Sequence, residues 1–310
     1  SQPKPQKSDT PAFCNYDQSN YQDEFWGEGK RAYEDGSEAI ALKRLLPKQG
    51  KLLLEIGAGA GRNTLRYEGY ERIVVMDYAL TQVQQAKARL GNSPRFIYVA
   101  ADVYRLPFVN ELFDGATMIR VIHHLTELDP AFAEIQRVLQ TNATFILEYA
   151  NKRNMKAILR WLSGKQKWNP FDPSMIEFVP LNFNNHPATI EKILKKHSFA
   201  IESALSVSNL RIGSLKSNPA NLGWMLKLES VLQRLAAPLK LSPSIFLRCK
   251  STEVKTKSPF SEFFTCPNCR SHALSHRLDK EVCQSCGYEY PIIDGIYNFR
   301  VDPKEQNRRK

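Results

Sequence analysis

Lys51 to Arg62 reads K-L-L-L-E-I-G-A-G-A-G-R. Leu52, Leu53, Leu54 and Ile56 form the short apolar run that a strand buried on both faces of a parallel sheet requires. Gly57, Gly59 and Gly61 follow at once, where such a strand turns into a helix. Glycines there let a ligand lie directly against the main chain. The stretch predicts an α/β fold and a site for a nucleotide or an adenosyl group.

Spacing separates two classes of ligand. A dinucleotide fingerprint is G-x-G-x-x-G, but here the sixth position is Arg62 and the glycines fall as G-x-G-x-G. Glu55, two residues before the first glycine, puts a carboxylate where pyrophosphate would sit, and suits a cationic ammonium or sulfonium group instead. E-x-G-x-G-x-G after a strand resembles the first motif of the class I S-adenosylmethionine-dependent methyltransferases, of the type 11, ubiquinone/menaquinone methyltransferase-like kind. The resemblance continues to about residue 150. It implies a Rossmann-like, seven-stranded, mainly parallel sheet with helices on both faces.

Later acids extend the pattern. Asp77 closes the predicted second strand 20 residues after Gly57, where an acid accepts the ribose hydroxyls of either a methyltransferase or a dehydrogenase ligand. Asp102, after a third strand at 95–100, matches the adenine-binding position of the family, with Val103 covering the ring. A dehydrogenase has no standing need for that acid. The fourth strand, 113–119, leads into R-V-I-H-H-L. The resemblance puts this strand end, with Arg120, against the transferred methyl group. His123 and His124 are then the candidate general bases, since imidazole takes a proton near neutral pH. The aromatic segment 16–33 is read as a lid over the cofactor through Tyr21, Phe25 and Trp26.

The chain's 310 residues exceed one typical domain and carry a net charge of +11. Residues 151–260 hold 18 Lys and Arg against 6 Asp and Glu, an excess of 12 positive charges. The basic surface is therefore local. The reading divides the chain into a disordered tail at 1–12, a methyltransferase domain at 13–250 with insertions at 151–187 and 209–243, a linker at 251–262, and a last unit at 263–310 with a basic tail. Without a long apolar run or a signal-peptide core, the protein is expected in the cytoplasm. In the second insertion Trp224, Leu228, Val231, Leu232 and Leu235 share one helical face, expected to roof the substrate pocket. A basic helix lying on a membrane is the alternative use.

The last unit contains C-P-N-C, thirteen residues, then C-Q-S-C. Cys266, Cys269, Cys283 and Cys286 supply four thiolates in two knuckles, which suit a structural, tetrahedral Zn2+ with no position left for water. This unit resembles the zinc-ribbon activators that pair with tRNA, rRNA and release-factor methyltransferases, including their Y-P-I-x-D-G-I ending. Two classes compete with a methyltransferase: an NAD-dependent oxidoreductase and a non-enzymatic RNA-binding protein. Within the methyltransferase reading, a small or lipid-like acceptor enclosed by residues 151–243 is favoured over RNA, because the insertions are apolar and no RNA-reading motif is present.

Overall fold

The computed structural model describes residues 31–179, 182–212, 218–255 and 262–301. The tail 1–12, the lid aromatics Tyr21, Phe25 and Trp26, part of the linker and the basic tail lie outside the described residues.

The described residues open with helix α1 (Ala32–Leu45) and strand β1 (Gly50–Ile56). Then come β2 (Tyr70–Asp77), α2 (Leu80–Leu90), β3 (Phe96–Ala100), β4 (Phe113–Met118), α3 (Leu128–Val138) and β5 (Leu139–Ala150). The first insertion supplies α4 (Met155–Leu162) and a hairpin of β6 (Ile176–Val179) and β7 (Asn182–Asn184). Helix α5 (Pro187–Lys196), β8 (Phe199–Val207), α6 (Leu222–Leu235) and β9 (Ser244–Ser251) complete the main body.

Seven strands lie in the order β3-β2-β1-β4-β5-β9-β8, all parallel except β9, which runs against both its neighbours. The apolar run at 52–56 is the centre of this sheet: Leu53 pairs with Ile73 on one side and Gly115 on the other. Both faces of β1 are covered, so its residues follow no alternation. Leu54 and Ile56 join a core with Phe132, Ile135 and Phe145, and Leu53 joins the opposite one with Leu42, Val83 and Ile146. Gly50 and Gly115 leave space for the Tyr70 side chain; a Cβ on either would stand 2.2 Å or less from its nearest atom.

The cysteine-rich unit is continuous with this sheet. Strands β10 (Leu274–His276), β11 (Lys280–Cys283) and β12 (Glu289–Ile293) are antiparallel, and β13 (Ile296–Asn298) returns from β12 through Asp294-Gly295. Both turn residues have positive φ, 50° and 71°, which a tight two-residue hairpin demands and which Asp-Gly accepts readily. β13 then pairs parallel with β3, Ile296 opposite Tyr98 and Asn298 opposite Ala100. The result is one eleven-stranded sheet. An otherwise open edge strand is thereby paired. Phe108 of the main body packs against Phe264 at 5.9 Å and Phe263 at 6.1 Å, and Phe264 reaches Phe299 at 4.8 Å. Arg270 Nη1 donates to Glu134 at 2.9 Å. Sequence reading separates the two units at a linker; the structure gives them one sheet and one core.

Candidate functional site

The carboxyl ends of β1, β2, β3 and β4 surround a cavity of about 1100 Å³, its open mouth included. Its walls include Glu55, Gly57, Gly59, Asp77, Asp102, Val103, Arg120 and His124. Such a crevice is where parallel α/β sheets bind ligands. Gly57 has φ +70°, and a Cβ there would meet Val121 Cγ2 at 2.1 Å, so the turn closes only with glycine. Gly61 plays another part: a Cβ on it would strike Leu90 of α2 at 2.9 Å, and it holds helix against turn rather than lining the cavity.

Three carboxylates stand at three successive strand ends. Asp77 Oδ2 accepts the Gly59 amide at 2.9 Å and Oδ1 accepts that of Ala79 at 2.9 Å, tying the end of β2 to the glycine turn. Asp102 Oδ1 accepts the Tyr104 amide at 2.9 Å, and burial pushes its carboxyl up. Glu55 is buried and accepts the Thr64 hydroxyl at 2.6 Å. Burial pushes its carboxyl up to about 7, against the pull of Thr64 and Tyr67 hydroxyls and Arg62. A buried acid in that state gains most from a cation brought beside it.

Arg120 follows β4 with a left-handed backbone, φ 59°. Its amide donates to Glu148 Oε2 at 2.9 Å and its Nε to Glu38 Oε1 at 2.5 Å. Glu38 also accepts Arg62 Nη2 at 2.6 Å. Burial opposes the Glu38 carboxylate, but the Arg120 and Arg62 guanidiniums outweigh it and hold the carboxyl below its usual range. Sequence reading missed Glu38 and Arg62, since nothing in α1 signals that its buried acid reaches residue 120. It also missed Tyr78, a cavity wall whose ring lies 5.7 Å from the Arg300 guanidinium of the cysteine-rich unit.

The two histidines divide. His124 lines the cavity, 3.9 Å between ring centroids from His123. His123 points into the protein and its Nδ1 has no hydrogen-bond partner among the described residues. Burial, then the neighbouring charges of His124 and Arg120, hold it well below its ordinary value, so it stays neutral.

The described residues between 151 and 243 contribute nothing to the walls of this cavity. Trp224, Leu228, Val231 and Leu235, expected to roof it, face outward, as do Phe171 and Phe178. The physical reason is that α6 buries its polar edge, Glu229 and Gln233, in hydrogen bonds with α1 and the turn after β8.

The four cysteines come together. All four Sγ atoms lie within 4.8 Å of one another, with Cys266 to Cys286 at 3.7 Å and Cys269 to Cys283 at 3.5 Å. Tetrahedral Zn–S bonds of about 2.3 Å imply S···S separations near ~3.8 Å, so the thiolates fit that ion.

Residues 54–147 match a family described as "Methyltransferase domain". Curated relatives include 24-methylenesterol C-methyltransferase 2 of Arabidopsis thaliana, 27% identical over 39% of this chain and 35% of that protein. The ubiquinone/menaquinone biosynthesis C-methyltransferase UbiE of Paracoccus denitrificans is 26% identical over 49% of this chain and 62% of its own length. The chain thus spans between about a third and three fifths of these relatives. Among solved structures, a Listeria monocytogenes chain assigned as an S-adenosylmethionine-dependent methyltransferase superposes with a TM-score of 0.52 at 17% identity, covering 72% of this chain and all of that one. A chain from the complex of the Haloferax volcanii Trm112 methyltransferase activator with its assigned methyltransferase gives 0.51 at 15% identity, over 76% and 95%. Fold, glycine turn and family match agree: residues 54–147 match a methyltransferase-domain family and lie on a fold shared with the Listeria monocytogenes chain.

Proposed function

We propose that this protein transfers a methyl group from S-adenosylmethionine to a nucleophilic oxygen, nitrogen or carbon of a small or lipid-like acceptor. The observation that carries the reading is the line of three carboxylates, Glu55, Asp77 and Asp102, along one cavity at the ends of β1, β2 and β3. When bound, S-adenosylmethionine supplies a methyl on a sulfonium that is already a good leaving group. Glu55 would hold the cationic amino acid end, Asp77 the ribose, and Asp102 with Val103 the adenine. Arg120, fixed through Glu38 and Glu148, sets the wall beside His124. His124 would accept a proton from the attacking group at its imidazole. Sterol, quinone and malonyl-acyl-carrier-protein methyltransferases among the relatives support an acceptor of this class.

Cys266, Cys269, Cys283 and Cys286 would hold one structural Zn2+. RNA is the second reading, favoured by the excess of 12 positive charges at 151–260. Titration of the purified protein with S-adenosylmethionine and with NAD tests the main reading. Binding of S-adenosylmethionine and its demethylated product is expected; binding of NAD alone would overturn it. Labelled methyl should appear in a lipid or small-molecule extract, and label in RNA alone would favour the second reading.

A further inference from the structure

Helix α6 is inside out relative to its composition. Beside the fully buried Met225, its inner edge is polar: Glu229 accepts from the Tyr33 hydroxyl at 2.7 Å and from the amides of Ser208 at 2.7 Å and Asn209 at 3.0 Å, and Gln233 donates to the Ser37 carbonyl at 2.8 Å. Those bonds fix the roll of the helix. Its apolar stripe of Trp224, Leu228, Val231 and Leu235 is therefore held in solvent. Helix α4 repeats the arrangement with Met155, Leu159 and Leu162 outward at i, i+4 and i+7. These seven side chains are 41 to 69% exposed.

The stripes adjoin. The Met155 amide donates to the Leu241 carbonyl at 2.8 Å, and Arg153 Nη2 to that of Leu239 at 3.1 Å; Leu239 itself is exposed. Both insertions rise from the rim that carries the cavity. α4 follows the carboxyl end of β5 at Ala150, and α6 lies between Val207 and Ser244, with Ser244 in register with both Val207 and Ala150.

Charge selects the occupant. The exposed charges of the two helices are Lys156, Arg160, Lys227 and Arg234, all positive, and Lys165 and Lys167 follow α4. The exposed acids of the same insertion are Asp172, which pairs with Lys152, and Glu177. A second copy of this face would bring like charges together. RNA would find cations, but of the seven stripe residues Trp224 alone offers a base a stacking surface. Apolar stripes rimmed by Lys and Arg suit a bilayer interface, where the chains enter the headgroup boundary and the cations meet anionic lipid.

We propose that the joined outward faces of α4 and α6 dock this protein on the anionic surface of a lipid bilayer. The docking stands on this face alone; that it brings a lipid-like acceptor to the cavity rests on the methyltransferase reading above.

The full chain should co-sediment with phosphatidylcholine vesicles containing phosphatidylglycerol, and more weakly with phosphatidylcholine alone. Added salt should reduce the difference. The double variant Leu159→Asp/Leu228→Asp replaces exposed side chains, so its thermal unfolding and S-adenosylmethionine binding should stay those of the parent while vesicle binding falls tenfold or more. Vesicle binding that the double variant leaves unchanged, or none to anionic vesicles, overturns the proposal. So does a parent dimer that the double variant dissociates, which would mean that a second copy covers the face. So does retention of RNA, but not of vesicles, that the variant abolishes. Vesicle binding without S-adenosylmethionine binding would sink the methyltransferase reading and leave the docking surface standing.

Discussion

Asp77 at the end of β2 accepts the backbone amide of Gly59 at 2.9 Å, so one carboxylate shapes the turn it helps to line. Its other oxygen holds the Ala79 amide at the start of α2. Asp77→Ala removes both acceptors, and a buried donor left without one costs ~1 to 3 kcal/mol. Affinity for S-adenosylmethionine should fall about tenfold or more. Asp77→Asn, which keeps one carbonyl acceptor, should lose less. Calorimetric titration of the three proteins checks the order, and equal affinities would remove Asp77 from the site.

Glu55 gives the ligand-free protein a pH signature. Its ordinary value is 4.5 and burial raises it to about 7, so between those limits the folded state holds a proton that the unfolded chain releases. The contribution is whole below pH 4.5 and is lost as pH rises through 7. Glu55→Gln keeps the neutral form at every pH. The melting temperature of the wild type, relative to Glu55→Gln, should therefore decline from pH 5 to pH 8. Saturating S-adenosylmethionine should shrink that decline, because a cation beside the carboxylate favours its ionised form. Melting curves with and without ligand measure both effects.

Residues whose place follows from strand ends were legible in the sequence. Glu55, Asp77 and Asp102 each sit at or just past a buried apolar run, and such ends converge in a parallel sheet. What depends on contacts distant in sequence was not legible. Glu38 meets Arg120 across 82 positions, and nothing beside Glu38 signals it. Periodicity identified the apolar stripe of α6 correctly but carried no information on the direction it faces. That is set by Glu229 and Gln233, whose partners lie on α1 and in the turn after β8. The return of β13 to β3 was not legible for a similar reason, because it pairs strands far apart in sequence.

That pairing joins the cysteine cluster to the strand ends around the cavity. β13 covers Tyr98 to Ala100, the Phe299 amide donates to the Ala100 carbonyl at 2.8 Å, and Asp102 follows two residues later. The proposed zinc would tie the two cysteine pairs together and so support the fold of this unit. Purified protein should contain about one zinc per chain by elemental analysis. Removing it with a chelator should expose the β3 edge. Amide exchange at 98–100 should then rise sharply, and S-adenosylmethionine affinity should weaken. Unchanged exchange at β3 after complete zinc loss would show that the edge pairing stands without the metal.

His123 and His124 are adjacent in sequence and opposite in environment, so substitutions should separate stability from chemistry. His123 is half-buried with its Nδ1 inside the protein, and its folded value is depressed below the ordinary 6.5 by desolvation and then by His124 and Arg120. A depressed histidine contributes stability above pH 6.5 that is lost as pH falls below it, because the unfolded chain then takes up the proton first. The wild type should therefore lose melting temperature from pH 7 to pH 5 relative to His123→Gln, a sign opposite to that of Glu55. His124 lines the cavity instead. His124→Ala should leave melting temperature and S-adenosylmethionine affinity near wild type and lower methyl incorporation into the acceptor extract by about 10²- to 10⁴-fold, the usual range for a lost general base. Rates are read under saturating cofactor, so that binding does not enter. An unchanged rate in His124→Ala would leave positioning of the acceptor against the sulfonium as the sole source of catalysis, with no base at this strand end.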